Sequence, residues 1–218
     1  MAKTNPSPFT QSELDRITEA VRAAESKTSG EIVPYFVQSS DEYPIAHWRG
    51  GVLLAAVAML ASLVVQTMSR TWLPYGMLEM SGTTIASFLL GVFLSRMVPS
   101  FKRMMLGHTM IEQRVSQRAT LAFVSEEVFR TRERTGILMF LSFFERKVVI
   151  LGDSGINAKV TQSDWDGIVH SLVANIRQGK TVDGLVEAIR QCGELLQHHG
   201  VERRRDDTDE LSDSLRVG

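Results

Sequence analysis

Two long uncharged segments in the middle of the chain limit what it can fold into more than any other feature. No charged residue lies between Arg49 and Arg70, and a second apolar stretch runs from about Met77 to Val98. A helix of about 20 apolar residues spans the roughly 30 Å core of a bilayer. The alternative is a pair of fully buried helices, which a soluble domain of this size rarely accommodates. We therefore predict a transmembrane hairpin over residues 47–99.

The charges beside these segments predict an orientation. The connecting loop carries only Arg70, whereas the outer flanks carry four cations, Arg49, Arg96, Lys102 and Arg103. Because positively charged flanks stay in the cytoplasm, both termini and the soluble domain are expected there. The first eight residues lack the apolar core of a secretory signal. The chain is thus predicted to be integral to the inner, cytoplasmic membrane, with the hairpin as its anchor.

Small residues recur four positions apart in both apolar segments. They are Ala58 and Ser62 in the first, and Ser87, Gly91 and Ser95 in the second. Such spacing lets helices approach closely in lipid. One interpretation is that the hairpin packs on itself. The other is contact with a membrane-protein partner or a second copy of the chain, beside the bilayer itself.

The flanking sequence predicts one α/β domain in two parts, residues 9–46 and 100–200. Short β-rich runs, Ile32 to Val37, Ile137 to Phe143 and Val148 to Leu151, alternate with amphipathic helical patterns. One strand before the hairpin and two after it are expected to join a single sheet. Pro34 indicates an edge or a bulge. A long helix is expected from Phe101 to about Arg132, and residues 201–218 are expected to be a disordered charged tail.

The composition argues against a nucleic-acid-binding protein and against an intrachain disulfide. The chain has 24 Lys plus Arg and 25 Asp plus Glu, giving a formal net charge of -1. This balance argues against nucleic acid as a partner, because dedicated binders are usually basic. Cys192 is the single cysteine, so an intrachain disulfide is impossible. Its place on an apolar helical stripe predicts a packed core thiol.

Three segments together resemble the TPM domain family. They are Ser29 to Pro34, Glu133 to Leu138 and Glu145 to Ile156. The resemblance covers about Phe9 to Leu196 apart from the hairpin, and implies an α/β fold with a small mixed sheet flanked by helices. Family members are described as acid phosphatases, divalent-cation binders and factors in the assembly or repair of membrane complexes. An anchor inside the domain departs from the family's usual arrangement of a signal peptide and a terminal anchor.

Asp153 is the strongest polar candidate for a site. It ends a buried strand between two glycines, where α/β proteins often bind ligands. Glu31, Asp164 and Asp166 are placed to lie near the same sheet edge, and such oxygen ligands suit Ca²⁺ or Mg²⁺. The alternative is that Asp153 makes a turn, Asp164 caps a helix, and the other two are solvated.

A basic set forms a further candidate surface for anionic lipid or an acidic partner: Arg130, Arg132, Arg134, Arg146 and Lys147. The alternative is a solvated rim.

Two functions remain open at this point. The first is a membrane-anchored, cytoplasm-facing interaction module that binds other membrane proteins. The second is a weak phosphatase that depends on a divalent metal and uses the Asp153 region. The first is favoured because no motif supplies a nucleophile or a metal-ligand cluster.

Overall fold

The computed structural model describes residues 8–68, 76–201, 203 and 210–218 in two compact units. The first unit comprises the chain up to Ser40 and from Gln113 onward, and the second runs from Asp41 to Glu112. Arg70 and the rest of the connecting loop, residues 69–75, lie outside the described residues. The elements in chain order are α1 (Gln11–Glu25), β1 (Glu31–Val37), α2 (Pro44–Met68), α3 (Met77–Met97), α4 (Pro99–Met104), α5 (His108–Ser125), β2 (Gly136–Ser142), β3 (Lys147–Gly152), α6 (Ser154–Asn157), α7 (Gln162–Arg177), α8 (Thr181–His198) and β4 (Arg216–Val217).

The first unit contains one small mixed sheet flanked by helices, which confirms the predicted fold class. Its strand order is β3-β2-β1-β4. Strands β1 and β2 are parallel, with Glu31 opposite Gly136, whereas β2 and β3 are antiparallel, with Ile137 opposite Gly152. The strands on either side of the inserted hairpin therefore belong to one sheet.

The central strands β1 and β2 are buried along their whole length. One face packs into the core formed with α1, α7 and α8, which includes Trp165, Leu185 and Cys192. Tyr35 projects from the opposite face and stacks on Phe140 at 5.8 Å between ring centroids. Desolvation raises the pKa of Tyr35, which also lies within electrostatic range of Arg118 from α5. Continuous apolar strands are what a sheet covered on both faces requires.

Pro34 predicts an edge or a bulge, and the structure places β1 inside the sheet with only part of its outer side paired with β4. The Glu31 N–H donates to the Thr135 carbonyl on the β2 side. The backbone nitrogens at positions 32, 34 and 36 therefore face the other, outer side of β1. Glu25 Oε1 accepts the Ile32 N–H at 2.7 Å. β4 pairs only with Tyr35 and Phe36. Pro34 thus lies where no neighbouring strand needs its missing N–H.

The expected long helix from Phe101 to Arg132 is wrong in its extent. Two helices, α4 and α5, occupy this stretch, with a break at residues 105–107. Gly107 lies in the break, and a glycine in a helix interior costs about 1 kcal/mol relative to alanine. α5 then ends at Ser125, and Glu127 in the following turn adopts a positive φ of 53°.

Residues 210–218 are ordered along β1, where a disordered tail was expected. We call this segment the C-terminal strap. Asp213 pairs with Arg22 at 2.7 Å, and Arg216 pairs with Glu126 at 2.7 Å. Leu215 and Val217 pack against the hydrophobic core. The apolar and charged residues of the strap contact partners on other elements, which holds it along β1. Residues 202 and 204–209 of the expected tail lie outside the described residues.

The second unit contains the two apolar helices α2 and α3, of 25 and 21 residues. Both are long and apolar enough to cross a membrane. They pack against each other so closely that a Cβ atom on Gly91 would lie 2.2 Å from the Gly50 carbonyl oxygen. Their outward faces leave large apolar side chains exposed, including Leu60 at 63% and Phe93 at 57%.

Candidate functional site

Two loops interlock at the end of the sheet where β2 begins and β3 ends. The Gly155 N–H donates to the Arg134 carbonyl at 2.9 Å, and the Asp153 N–H donates to the Gly136 carbonyl at 2.9 Å. A Cβ atom on Gly155 would lie 2.3 Å from the Glu133 carbonyl oxygen. Only glycine permits this approach, so the loops are held in one arrangement around Asp153.

The Asp153 carboxylate is buried, with 7% of its side chain exposed. Its Oδ1 accepts the Ser154 N–H at 2.6 Å and caps the short helix α6. Its Oδ2 lies 3.1 Å from Arg134 Nε in an ion pair. Arg134 reaches this position with a positive φ of 59°. The guanidinium therefore supplies the positive charge that a bound cation would otherwise provide at Asp153.

Glu31 lies at the same end of the sheet as Asp153. Glu31 is opposite Gly136, and the Gly136 carbonyl accepts the Asp153 N–H. The backbones of Glu31 and Asp153 are therefore two strand spacings, or roughly 10 Å, apart. Glu31 Oε1 accepts the Glu210 N–H at 3.3 Å, and Glu210 Oε2 accepts the Arg132 N–H at 2.8 Å. Glu31 thus contacts the C-terminal strap rather than Asp153.

Asp164 and Asp166 have separate structural surroundings. Asp164 accepts hydrogen bonds from the Thr161 hydroxyl and N–H, both at 2.7 Å, in a capping box at the start of α7. These bonds hold the pKa of Asp164 below its ordinary value. Asp166 is exposed, and its carbonyl contacts the His170 ring at 2.7 Å. The cap predicted for Asp164 is therefore present.

The four predicted carboxylates do not form one ligand set in this structure. Across the described ranges, no group of three or more His, Cys, Asp or Glu side chains is placed to hold a metal ion. Asp153 is paired with Arg134, and Asp164 is used in a cap. The predicted Ca²⁺ or Mg²⁺ ligands are therefore not brought together on one ion in the described part of the chain, and no chemistry through a metal follows from them.

The predicted basic set is divided between opposite ends of β2. Arg134 precedes the strand, whereas Arg146 lies in the turn after it, about 20 Å away along a seven-residue strand. Arg130 pairs with Glu127 at 2.6 Å. The set does not form one surface for an anionic ligand. Residues that are close in sequence lie far apart in space when an extended strand separates them.

A buried polar cluster at the other end of the sheet was not predicted. Glu145 is 5% exposed, and its Oε1 accepts the Ser40 N–H at 2.8 Å. The Ser142 hydroxyl donates to its other oxygen, and the Ser40 and Ser142 hydroxyls lie 2.7 Å apart. The cluster ties the ends of β1 and β2 together. Its sequence signal was hidden, because a glutamate in a Glu-Arg-Lys turn is typical of a solvated position.

A cleft of about 310 Å³ opens near the same strand ends. Its apolar walls are Phe9, Phe36 and Phe143, and Phe9 meets Phe36 edge to face at 5.0 Å. Its rim includes the exposed Arg16–Asp183 ion pair, at 2.7 Å. The opposing charges on this rim balance, so they select no single class of ligand.

The residues predicted for membrane packing lie where α2 and α3 face each other. Gly91 and Ser95 are buried in α3, and the Ser95 hydroxyl donates to the Gly91 carbonyl at 2.9 Å. Ser62 is buried in α2 and donates to the Ala58 carbonyl at 2.8 Å. Ala58 and Ser87 are half-buried. This placement corresponds to the interpretation in which the hairpin packs on itself.

The Asp153–Arg134 pair predicts unequal costs for its two partners. Arg134→Gln is expected to lower the free energy of unfolding by about 2 kcal/mol, because it leaves a buried carboxylate without its counter-ion. Asp153→Asn is expected to cost about 1 kcal/mol, because it leaves a half-exposed guanidinium that water solvates. Thermal unfolding of both variants in detergent, with the double variant to measure coupling, checks this order. A larger loss for Asp153→Asn contradicts it.

Because Asp153 stabilises the fold, loss of an activity in Asp153→Asn alone does not assign catalysis to this residue. Arg134→Gln is the matched variant, since it keeps the carboxylate and removes only its partner. A phosphatase that uses Asp153 is expected to lose hydrolysis in the first variant and retain it in the second.

Comparisons with known proteins agree with this architecture. The sequence model of the TPM domain matches residues 100–195, which include β2, β3 and helices α6 and α7. Among solved structures, the chain is similar to the BA42 protein of the psychrophilic bacterium Bizionia argentinensis. The TM-score is 0.59 at 21% sequence identity, over 100% of each chain. This likeness shows the fold alone. No curated protein sequence matches the chain significantly.

Proposed function

Because the chain carries a TPM domain, we propose that it is a membrane-anchored interaction module that faces the cytoplasm and binds another membrane protein. The hairpin α2–α3 is its anchor, and the α/β unit is its cytoplasmic part. The observation that carries this proposal is the exposed apolar surface of the two inserted helices.

That surface supports membrane insertion. Large apolar side chains are exposed along both helices, including Val57, Leu60 and Val64 on α2 and Leu89 and Phe93 on α3. Soluble monomers rarely expose a contiguous apolar patch of more than a few hundred Å². A bilayer covers such a surface without any further protein. Its hydrocarbon core offers no hydrogen bonds, and two helices need none there because their backbone groups bond within each helix.

The charges at the ends of the hairpin support the orientation. Arg49 in α2 and Arg96 in α3 lie at the end where the chain enters and leaves the hairpin. Lys102 and Arg103 follow in α4. Positive charge on the short flanks keeps that end in the cytoplasm, and the α/β unit is continuous with it in sequence.

Binding is favoured over catalysis because the carboxylates already have structural partners. Asp153 pairs with Arg134, Asp164 caps α7, and Glu145 joins two strand ends. A general acid or base needs a group within reach of a substrate, and these groups instead hold protein atoms. A module with a rigid α/β unit and an internal anchor is suited to holding a partner in the membrane.

Cysteine labelling in intact cells tests the orientation. Tyr75→Cys and Ser214→Cys are introduced one at a time in the native background. Cys192 is fully buried, and burial raises the pKa of its thiol to about 12, so the folded protein keeps it unreactive. We expect an impermeant maleimide to label the Tyr75 site from outside and the Ser214 site only after the membrane is opened. Labelling of Ser214 from outside overturns the cytoplasmic assignment.

Site-specific photocrosslinking tests the partner. A photoreactive residue is placed at the outward positions Leu60 and Phe93, and at Ala58, which faces α3, as the matched control. We expect protein adducts from the outward positions and none from Ala58. An adduct with twice the mass of the chain identifies a second copy instead of another protein. Lipid adducts alone at both outward positions contradict the interaction role.

A further inference from the structure

Positive charge is gathered at one end of the hairpin. Four cations lie there, Arg49 on α2, Arg96 at the end of α3, and Lys102 and Arg103 on α4. At the other end of α3, the first turn carries Glu79. α4 follows α3 after a single residue, so the cations lie on three neighbouring helical elements.

Helix geometry places two of these cations at the depth of lipid phosphates. The helix from Arg49 to Met68 rises about 28 Å, and that from Glu79 to Arg96 rises about 26 Å. Both lengths approach the roughly 30 Å hydrocarbon core. Arg49 and Arg96 therefore lie at the boundary of the core, since a long cationic side chain reaches from there to the headgroups.

The two arginines lie at the same level of the hairpin. A Cβ atom on Gly50 would lie 2.0 Å from the Ser95 hydroxyl, so these two residues directly face each other. Arg49 and Arg96 are their neighbours in the direction of the basic end. Arg49 Nη1 donates to the Met105 carbonyl at 3.1 Å, which fixes the side chain and leaves its other N–H groups available. Arg96 is exposed, with no hydrogen bond or ion pair to any described residue.

His47 adds a polar atom that has no protein partner. Its Nδ1 is shielded from solvent and makes no hydrogen bond within the described part of the chain. The ring lies within electrostatic range of both Arg96 and Lys102. Shielded polar atoms in proteins are usually satisfied, so the polar surroundings at this end of the hairpin are incomplete within the described part of the chain. The surrounding cations select a ligand that is negatively charged.

We propose that the basic end of the hairpin is a binding site for the phosphate group of an anionic phospholipid, contacted by Arg49 and Arg96. A guanidinium binds phosphate oxygens in a two-pronged arrangement, which a point charge does not reproduce. Lys102 lies within electrostatic range of His47, and its Nζ lies 5.9 Å from the Tyr43 ring centroid. The inference rests on the proposed membrane anchor.

The test is lipid selection by the full chain. The protein is reconstituted in nanodiscs of phosphatidylglycerol and phosphatidylcholine in equal amounts, and its retained lipids are measured by native mass spectrometry. We expect phosphatidylglycerol to be enriched on the wild-type protein. Arg49→Gln and Arg96→Gln are each expected to reduce this enrichment about fivefold. The matched control, Lys27→Gln with Arg177→Gln, removes two exposed cations of the other unit and is expected to leave it unchanged.

The outcomes separate this site from the anchor. Equal loss in the control variant, or no loss in either arginine variant, overturns the headgroup site. Binding of inorganic phosphate by the detergent-solubilised chain, without phospholipid selection, also overturns it. Extraction from membranes by alkaline carbonate distinguishes the two proposals. A chain that stays in the membrane but shows no lipid preference retains the anchor alone, whereas a chain that is extracted loses both.

Discussion

Gly91→Leu is expected to destabilise the α2–α3 hairpin by about 3 kcal/mol, because the added side chain has no space to enter. A Cβ atom at this position would lie 2.2 Å from the Gly50 carbonyl oxygen and 2.9 Å from the Gly51 Cα. These atoms belong to the backbone of the facing helix, so the only relief is separation of the two helices. Separation also removes the dispersion contacts that hold helices together in lipid.

Gly82→Leu is the matched control for this prediction. Gly82 lies in the same helix, and a Cβ atom there meets no atom within 4 Å. The same substitution at this site adds helix propensity and is expected to leave stability unchanged or slightly raised. The measurement is the midpoint of sodium dodecyl sulfate unfolding in mixed micelles. If Gly91→Leu and Gly82→Leu unfold at the same midpoint, the close packing at Gly50 does not stabilise the hairpin.

The order of the main elements could be predicted because each carries a local signal. Thr10 and Glu13 form a capping box with both reciprocal hydrogen bonds, and the helix begins at the following residue. Continuous apolar runs located β1, β2 and β3, since strands covered on both faces show no polar alternation. One strand lies before the inserted hairpin and two lie after it. A single sheet joins all three, and this is the arrangement that the sequence predicts.

The site could not be predicted to the same extent because its geometry depends on pairs distant in sequence. The two glycines indicate Asp153, but the basic pattern places its partner Arg134 on a separate surface. The sequence around Arg134 does not show the positive φ that turns its side chain toward Asp153. Glu145 was missed because burial of a turn glutamate depends on Ser40, more than 100 residues away.

The C-terminal strap differs from the expected tail, since its composition is that of a disordered segment. Its order depends on partners supplied by other elements: Arg22 from α1 and Glu126 after α5 bind its charged residues. The Gly218 N–H donates to the Phe36 carbonyl at 3.1 Å, which completes the outer side of β1. The composition of one segment carries no information about partners that lie elsewhere in the sequence.

Deletion of residues 210–218 is expected to lower the free energy of unfolding by about 3 kcal/mol. Leu215 and Val217 lose their partial burial, worth about 1 kcal/mol each. The two ion pairs contribute about 0.5 kcal/mol each, because such pairs are partly screened by solvent. Denaturant titration of the detergent-solubilised chain measures the loss. Arg22→Gln is the graded comparison, since it breaks only the pair with Asp213 and is expected to cost less than 1 kcal/mol.

The deleted chain is nevertheless expected to keep the association state of the full chain, because little of β1 is open to pairing with a new strand. Glu25 already accepts the Ile32 N–H, and Pro34 has none. Only the segment at Tyr35 and Phe36 becomes free to pair, which is shorter than a stable strand contact. Pro34→Val in the deleted chain restores an N–H and extends the open edge. Light scattering over a concentration series should then detect association beyond that of the full chain in the combined variant alone; such association of the deleted chain with Pro34 intact contradicts this protection of the edge.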